Sequence, residues 1–230
     1  MLFKKNPNDH VDNQTKQELG FQVRESYKKA RTAIVYSIIK KGCKKIAITS
    51  SDKSEGKTIT SVNIAIALAQ QVGTRVLIIE CDLRRPKVHS ALGINPQMGI
   101  TNYLNFECGV DEIVTDTAVD GLKAICYGAI PPNPSELLAS EGMIDLVKEL
   151  EKRFDYIIFD TPPISVVVDA VPVIRLSDGV AIVIKNLSTT YPAFEKAHNE
   201  VKKAGGKVLG VIINQVNAVS KKKGYYYRYQ

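Results

Sequence analysis

The chain has 230 residues, is 44% hydrophobic and carries a formal net charge of +7. That length makes one large domain or two small ones with a substantial core, and no apolar run approaches the roughly 18 residues that a membrane-spanning helix needs. The positive charge suits nucleic acid, an anionic membrane or a phosphate-bearing ligand. Part of it sits in short surface-like clusters (Lys40-Lys41, Lys44-Lys45, Lys221-Lys222-Lys223), and no nucleic-acid recognition motif accompanies it, so nucleic acid is not an expected partner.

Met1 to Lys5 are charged, with no signal-peptide core behind them, which predicts a soluble, intracellular protein. Residues 1–16 are polar and are expected to form a flexible leader. From Lys16 to Lys40, Leu19, Val23, Tyr27, Ala30, Ile34 and Ile38 recur at helical spacing and predict a long helix. Short apolar runs then alternate with helical stretches. Lys45–Thr49, Val76–Cys81, Leu122–Cys126, Tyr156–Phe159, Val180–Ile184 and Val208–Ile213 read as buried strands. Lys57–Gln71, Gly142–Arg153, Val166–Leu176 and Tyr191–Ala204 read as helices. The alternation predicts an α/β fold, a mostly parallel central sheet flanked by helices on both faces. One domain, 17–217, is expected, followed by a mobile tail, 218–230. The four cysteines form no C-x-x-C pair and read as reduced packing residues, and the three histidines show no ligand spacing.

The chemistry concentrates at three strand ends. "SDKSEGKTITS", residues 51–61, follows a predicted strand and opens a predicted helix. A loop of backbone N–H groups running into a helix N-terminus concentrates positive potential and can cradle phosphate. Gly56 lets the main chain approach closely, Lys57 can reach the β- and γ-phosphates, and the Thr58 hydroxyl can ligate Mg²⁺. Ser51 stands where the G-x-x-x-x-G-K-[ST] pattern has its first glycine. A lysine in an ordinary β–α turn is the bland alternative. "VLIIECDLRRP" (76–86) ends a strand in Glu80 and Asp82, and "YIIFDTPP" (156–163) ends one in Asp160. Ligands of open α/β sheets bind at the carboxyl ends of strands. These acids therefore share a rim with the lysine, and a divalent cation between them and a phosphate removes the repulsion.

These three segments resemble the Walker A, Walker A′ and Walker B motifs of the bacterial tyrosine kinases (BY-kinases), the cytoplasmic, P-loop, deviant-Walker ATPase-like kinases of capsular and exopolysaccharide synthesis. "PPNPSELL" (131–138) and "ESYKKART" (25–32) extend the resemblance over nearly the whole chain. It implies ATP and Mg²⁺ as cofactors, with Ser54, Glu55, Gly56, Lys57, Thr58 and Ile59 around the nucleotide. It further implies Thr58, Asp82 and Asp160 in the metal shell, Lys57 neutralising phosphate charge, and Glu80 orienting the acceptor or a water. Glu80 stands where the family usually has Asp, and Lys53-Ser54 where it commonly has Pro-Gly. A left-handed serine at position 54 costs on the order of 1–2 kcal/mol. Asn214 matches a position where related ATPases read adenine.

Four of the ten tyrosines, Tyr225, Tyr226, Tyr227 and Tyr229, fall in the last six residues. A lysine-flanked end cannot bury four rings, so beside a phosphoryl-transfer site they are expected phosphoacceptors, as in the family's C-terminal tyrosine cluster. Glu25, Lys28 and Arg31 spread over about 120° of one helix face. From spacing alone they form a solvated stripe; the resemblance implies an interface in a homo-oligomeric ring, with phosphorylation in trans. It also implies a separate transmembrane polysaccharide co-polymerase adaptor that recruits the protein to the inner face of the membrane, and a cognate tyrosine phosphatase. Two other functions use the same motifs: a ParA/MinD-type spatial-organisation ATPase, whose signature lysine position is Asp52 here, and a nucleotide-binding regulatory scaffold.

Overall fold

The computed structural model describes residues 8–216, with side chains from Gly20 onward. Helix α1 (Asn8–Ser37) leads into strand β1 (Lys44–Ser50) and helix α2 (Lys57–Ala69). Strand β2 (Val76–Glu80) precedes three short helices, α3 (Val88–Leu92), α4 (Ile100–Leu104) and α5 (Val110–Ile113). Strands β3 (Thr115–Asp116) and β4 (Leu122–Ile125) follow, then helices α6 (Pro134–Leu138) and α7 (Glu141–Leu150) and strand β5 (Tyr156–Asp160). Helix α8 (Ala170–Leu176), strand β6 (Gly179–Lys185), helix α9 (Tyr191–Lys203) and strand β7 (Val208–Asn214) complete the order.

The strands form one sheet in the order β3-β4-β2-β5-β1-β6-β7, parallel throughout except for β3 against β4. Apolar residues along each inner strand alternate between two cores. Ile46, Ile48, Ile78 and Ile158 pack with Ile34 of α1, Ile38 just beyond it and Leu68 of α2. Ala47, Leu77, Ile79, Ile157 and Phe159 face the opposite layer, with Met143, Leu146 and Leu150 of α7 and Ala197 and Val201 of α9. Both faces being covered explains why these strands read as continuous apolar runs. On α7 the buried positions 143, 146, 147 and 150 follow the helical repeat, and the Ser140 hydroxyl caps the helix by accepting the Met143 N–H.

β5 lies between β1 and β2, so the chain passes over it through α2. Register then aligns Ile48 with Asp160 and Glu80 with Asp160. The three strand tips named from the sequence are thus side by side.

The structure departs from the sequence expectations at several places. Residues 8–16, expected as leader, are helical; the stretch contains the good helix formers Gln14 and Lys16, runs into Gln17 and Glu18, and holds no Gly or Pro. The helix expected from Val166 starts at Ala170, because Pro162-Pro163 and three successive β-branched valines favour extended backbone. Helices α3 to α6 and strand β3 were not legible, since two to five residues are too few to display a period. All four cysteines are free thiols, and burial pushes Cys126 up to about 12 and Cys43 to about 11. Among the described residues no helix is long and apolar enough to cross a membrane.

Candidate functional site

The loop between β1 and α2 is shaped by two left-handed residues, Ser54 (φ 61°) and Gly56 (φ 88°). Position 54 therefore has the conformation in which serine is strained. Glu55 braces the loop from within. Its buried carboxylate accepts the Ser51 hydroxyl (3.1 Å), the Asp52 N–H (2.9 Å) and the Thr189 hydroxyl. Asn214, at the tip of β7, donates its Nδ2 to the Glu55 carbonyl (2.9 Å) and accepts the Gln215 N–H on its Oδ1 (2.8 Å). A Cβ on Gly56 would lie 1.9 Å from Asn214 Nδ2, so only glycine fits there. Glu55 and Asn214, both expected beside the nucleotide, make these contacts to the loop itself, the Asn214 amide to its main chain.

In front of the loop two acids and a lysine meet as the strand register dictates. Lys57 Nζ lies 2.6 Å from Asp82 Oδ2 and 3.9 Å from Asp160 Oδ2. Thr58 Oγ1 donates to Asp160 Oδ2 at 2.8 Å, and Ser61 Oγ to Asp160 Oδ1 at 2.9 Å. Complete burial raises the Asp160 carboxyl above its ordinary range, an effect that Lys57 and the two hydroxyls oppose. Ser61 escaped the sequence reading, although its position four residues after Lys57 puts both on one helix face.

A cleft of about 500 Å³ opens over these groups. Its floor is Ser54, Gly56, Lys57, Thr58 and Asp82. One wall is basic, with Arg84, Arg85 and Lys87, and Lys53 stands at the loop. The other is apolar, with Pro162, Pro163, Val166 and Val167, and Ile59 stands at the helix start. The basic wall was visible as "RRPK" (84–87) after Asp82-Leu83, a run that cysteine and histidine spacing and strand patterning gave no reason to single out. Among the described residues no cluster of three or more His, Cys, Asp or Glu side chains forms a metal cage. The Thr58 hydroxyl and the Asp82 and Asp160 carboxylates are hard oxygen donors, which fits a Mg²⁺ ion that takes few protein ligands and fills its remaining positions with water and phosphate.

Glu80 is not brought into the cleft. It is fully buried, and its Oε1 accepts the N–H groups of Val88 (2.6 Å) and Lys87. Its expected role toward the acceptor or a water is not what these contacts serve. Desolvation pushes its carboxyl up to about 7 against those two N–H groups. On α1, Glu25 and Lys28 pair with each other at 2.8 Å on the exposed face. Arg31 turns inward and donates to the Ala67 carbonyl at the end of α2 (2.9 Å), so the expected three-residue interface stripe is split. Tyr225, Tyr226, Tyr227 and Tyr229 lie outside the described residues.

A family profile described as an AAA domain matches residues 43–204. The chain is 34% identical over 207 residues to a putative tyrosine-protein kinase CapB of Staphylococcus aureus, covering 90% of each. It is 37% identical over 190 residues to the tyrosine-protein kinase YwqD of Bacillus subtilis (strain 168), covering 83% of this chain and 80% of that one. The kinase domain of the Escherichia coli tyrosine kinase ETK superposes with a TM-score of 0.81 at 28% identity, over 90% of this chain and 80% of that one.

Proposed function

The chain belongs to the bacterial tyrosine kinases and is a nucleotide-using protein-tyrosine kinase; we propose that, with Mg²⁺ and ATP, it phosphorylates Tyr225, Tyr226, Tyr227 and Tyr229 of its own C-terminal segment. The observation that carries this reading is Lys57 poised between Asp82 and Asp160 at the floor of a cleft with one basic and one apolar wall.

A triphosphate entering the cleft meets the N–H groups that follow Gly56 and the start of α2, whose dipole favours anions. Lys57 exchanges the Asp82 carboxylate for phosphate oxygens. Asp82 and Asp160, relieved of the lysine, and the Thr58 hydroxyl are then the groups that would hold Mg²⁺, which supplies charge neutralisation across the transferring phosphate. Phosphoryl transfer to a phenol asks mainly for in-line positioning and charge stabilisation. The basic wall provides the second and the apolar wall accommodates the acceptor ring. Asp82, which among the described residues is the acid that both lines the cleft and stands next to Lys57, would orient or receive the phenolic proton through its oxygen not engaged by the cation.

Transfer between copies, in a homo-oligomeric ring whose contact face includes Glu25 and Lys28, accounts for a tyrosine-rich end on every subunit. On this reading the protein is cytoplasmic and is drawn to the inner membrane face by a separate transmembrane polysaccharide co-polymerase adaptor. A cognate tyrosine phosphatase resets it, and the phosphorylation state governs capsular or exopolysaccharide synthesis and export.

Incubation with Mg²⁺ and γ-labelled ATP tests the central step. Label is expected on the C-terminal tyrosines of the wild type and is expected to vanish in Lys57→Met and in a chain ending at Gly224. Release of free phosphate with no labelled protein, in the presence of the adaptor's cytoplasmic segment as well as without it, would reject tail phosphorylation.

A further inference from the structure

The loop from Leu83 to Lys87 contributes Arg84, Arg85 and Lys87 to the cleft yet contains no helix or strand of its own. A loop bearing three like charges has no intrinsic reason to keep them converging on one space. Two side chains outside the cleft account for it. At the loop's far end Glu80 takes the N–H groups of Lys87 and Val88 on a single oxygen. Across the cleft, Asp169 binds Arg84 in a forked pair, Nε to Oδ2 at 2.6 Å and a terminal nitrogen to Oδ1 at 3.2 Å. Both acids are essentially without solvent exposure, Glu80 at 0% and Asp169 at 1%. Neither lines the cleft.

Asp169 closes the segment that carries Pro162, Pro163, Val166 and Val167. Its pairing with Arg84 therefore joins the basic wall to the apolar one. Forked arginine–carboxylate pairs fix orientation as well as distance. Glu80 secures the opposite end through the main chain, and there its length matters. An aspartate would withdraw the carboxylate by roughly one bond length, about 1.5 Å, taking a 2.6 Å contact beyond hydrogen-bond range. Its other oxygen has no hydrogen-bond partner among the described residues, with His89 Nδ1 3.8 Å away.

We propose that Glu80 and Asp169 are positioning residues of the transfer reaction, two buried carboxylates that hold the 83–87 loop from either side so that its cations face the phosphates. The proposal rests on the reading that this cleft binds the nucleoside triphosphate. Such residues act on binding that ground and transition states share, so their loss raises KM more than it lowers kcat.

The test is steady-state kinetics in ATP with affinity for a fluorescent ATP analogue, on the full chain with its adaptor segment. Glu80→Gln keeps an acceptor oxygen on both N–H groups and is expected to stay within about threefold of wild type in kcat and KM. Glu80→Ala and Asp169→Ala are expected to raise KM for ATP about tenfold or more while kcat falls less, with Asp169→Asn intermediate in KM. A Glu80→Gln protein with kcat down about a hundredfold at unchanged KM would overturn the proposal, since Glu80 would then be handling a proton. Alanine variants with unchanged KM would overturn it too. If the alanine proteins do not fold, the Gln and Asn variants decide alone: near-normal KM in the first with a raised KM in the second supports it, and any other pattern rejects it. A wild type that fails to bind the analogue rejects the underlying reading of the cleft, and the proposal with it.

Discussion

At the scale of single residues, the phosphate loop is a contest between sterics and hydrogen bonding. Gly56 combines a left-handed φ of 88° with a side-chain position already filled by Asn214. Gly56→Ala is expected to cost about 1–2 kcal/mol from backbone conformation alone, and more from displacing an amide that braces Glu55. Nucleotide binding should be lost or weakened at least tenfold. Adding Asn214→Ala removes the clash without removing the backbone strain, so the double variant should recover part of the affinity, a non-additivity measurable in a double-mutant cycle. Glu80 supplies a second test, through pH. Its carboxyl titrates at about 7 in the folded protein against 4.5 ordinarily, so the folded state holds a proton that the unfolded state has released. Stability should therefore fall as pH rises from about 4.5 to about 7, by an amount on the order of a few kcal/mol. Glu80→Gln abolishes that titration and should flatten the pH dependence of thermal unfolding across the same window. A wild-type profile that rises there would contradict the burial argument.

Elements of structure decide which charges face inward, and here sequence spacing was a poor guide. Glu25, Lys28 and Arg31 look equivalent on a helical wheel, yet Arg31 bonds to the end of α2 while the other two stay with each other at the surface. Arg31→Ala should lower stability by about 1 kcal/mol, the usual worth of such a bond. Charge reversal at both Glu25 and Lys28 should leave the melting temperature nearly unchanged and, on the proposed ring, alter only sedimentation. Equal effects of the two changes on unfolding would argue against this division. The inward turn of Arg31 was illegible because it depends on where α2 ends relative to α1, a tertiary distance. The same holds for Glu80 and Asn214. Motif position put both at the ligand; packing put one beneath a neighbouring helix and the other against the loop. By contrast Lys57, Thr58, Asp82 and Asp160 were legible, because each is fixed by the tip of a strand whose apolar run announces it. Ser61 and Arg84 needed the three-dimensional structure, since their partners Asp160 and Asp169 are 99 and 85 positions away.

For the molecule as a whole, the strand order does the assembling. Strands β1, β5 and β2 lie side by side although the chain visits them far apart, and the alternation of apolar runs with helices foretold that arrangement without foretelling the order. The same topology ends the last strand at Asn214, a residue hydrogen-bonded to the phosphate loop. Whatever follows is hitched to the kinase within two residues of that contact, and only nine positions separate Val216 from Tyr225. On the proposed function, foreign tyrosines compete with acceptors covalently attached to the enzyme. An added tyrosine peptide should be labelled slowly by the intact enzyme and faster by the chain ending at Gly224, so the acceptor segment doubles as a guard on its own enzyme's selectivity.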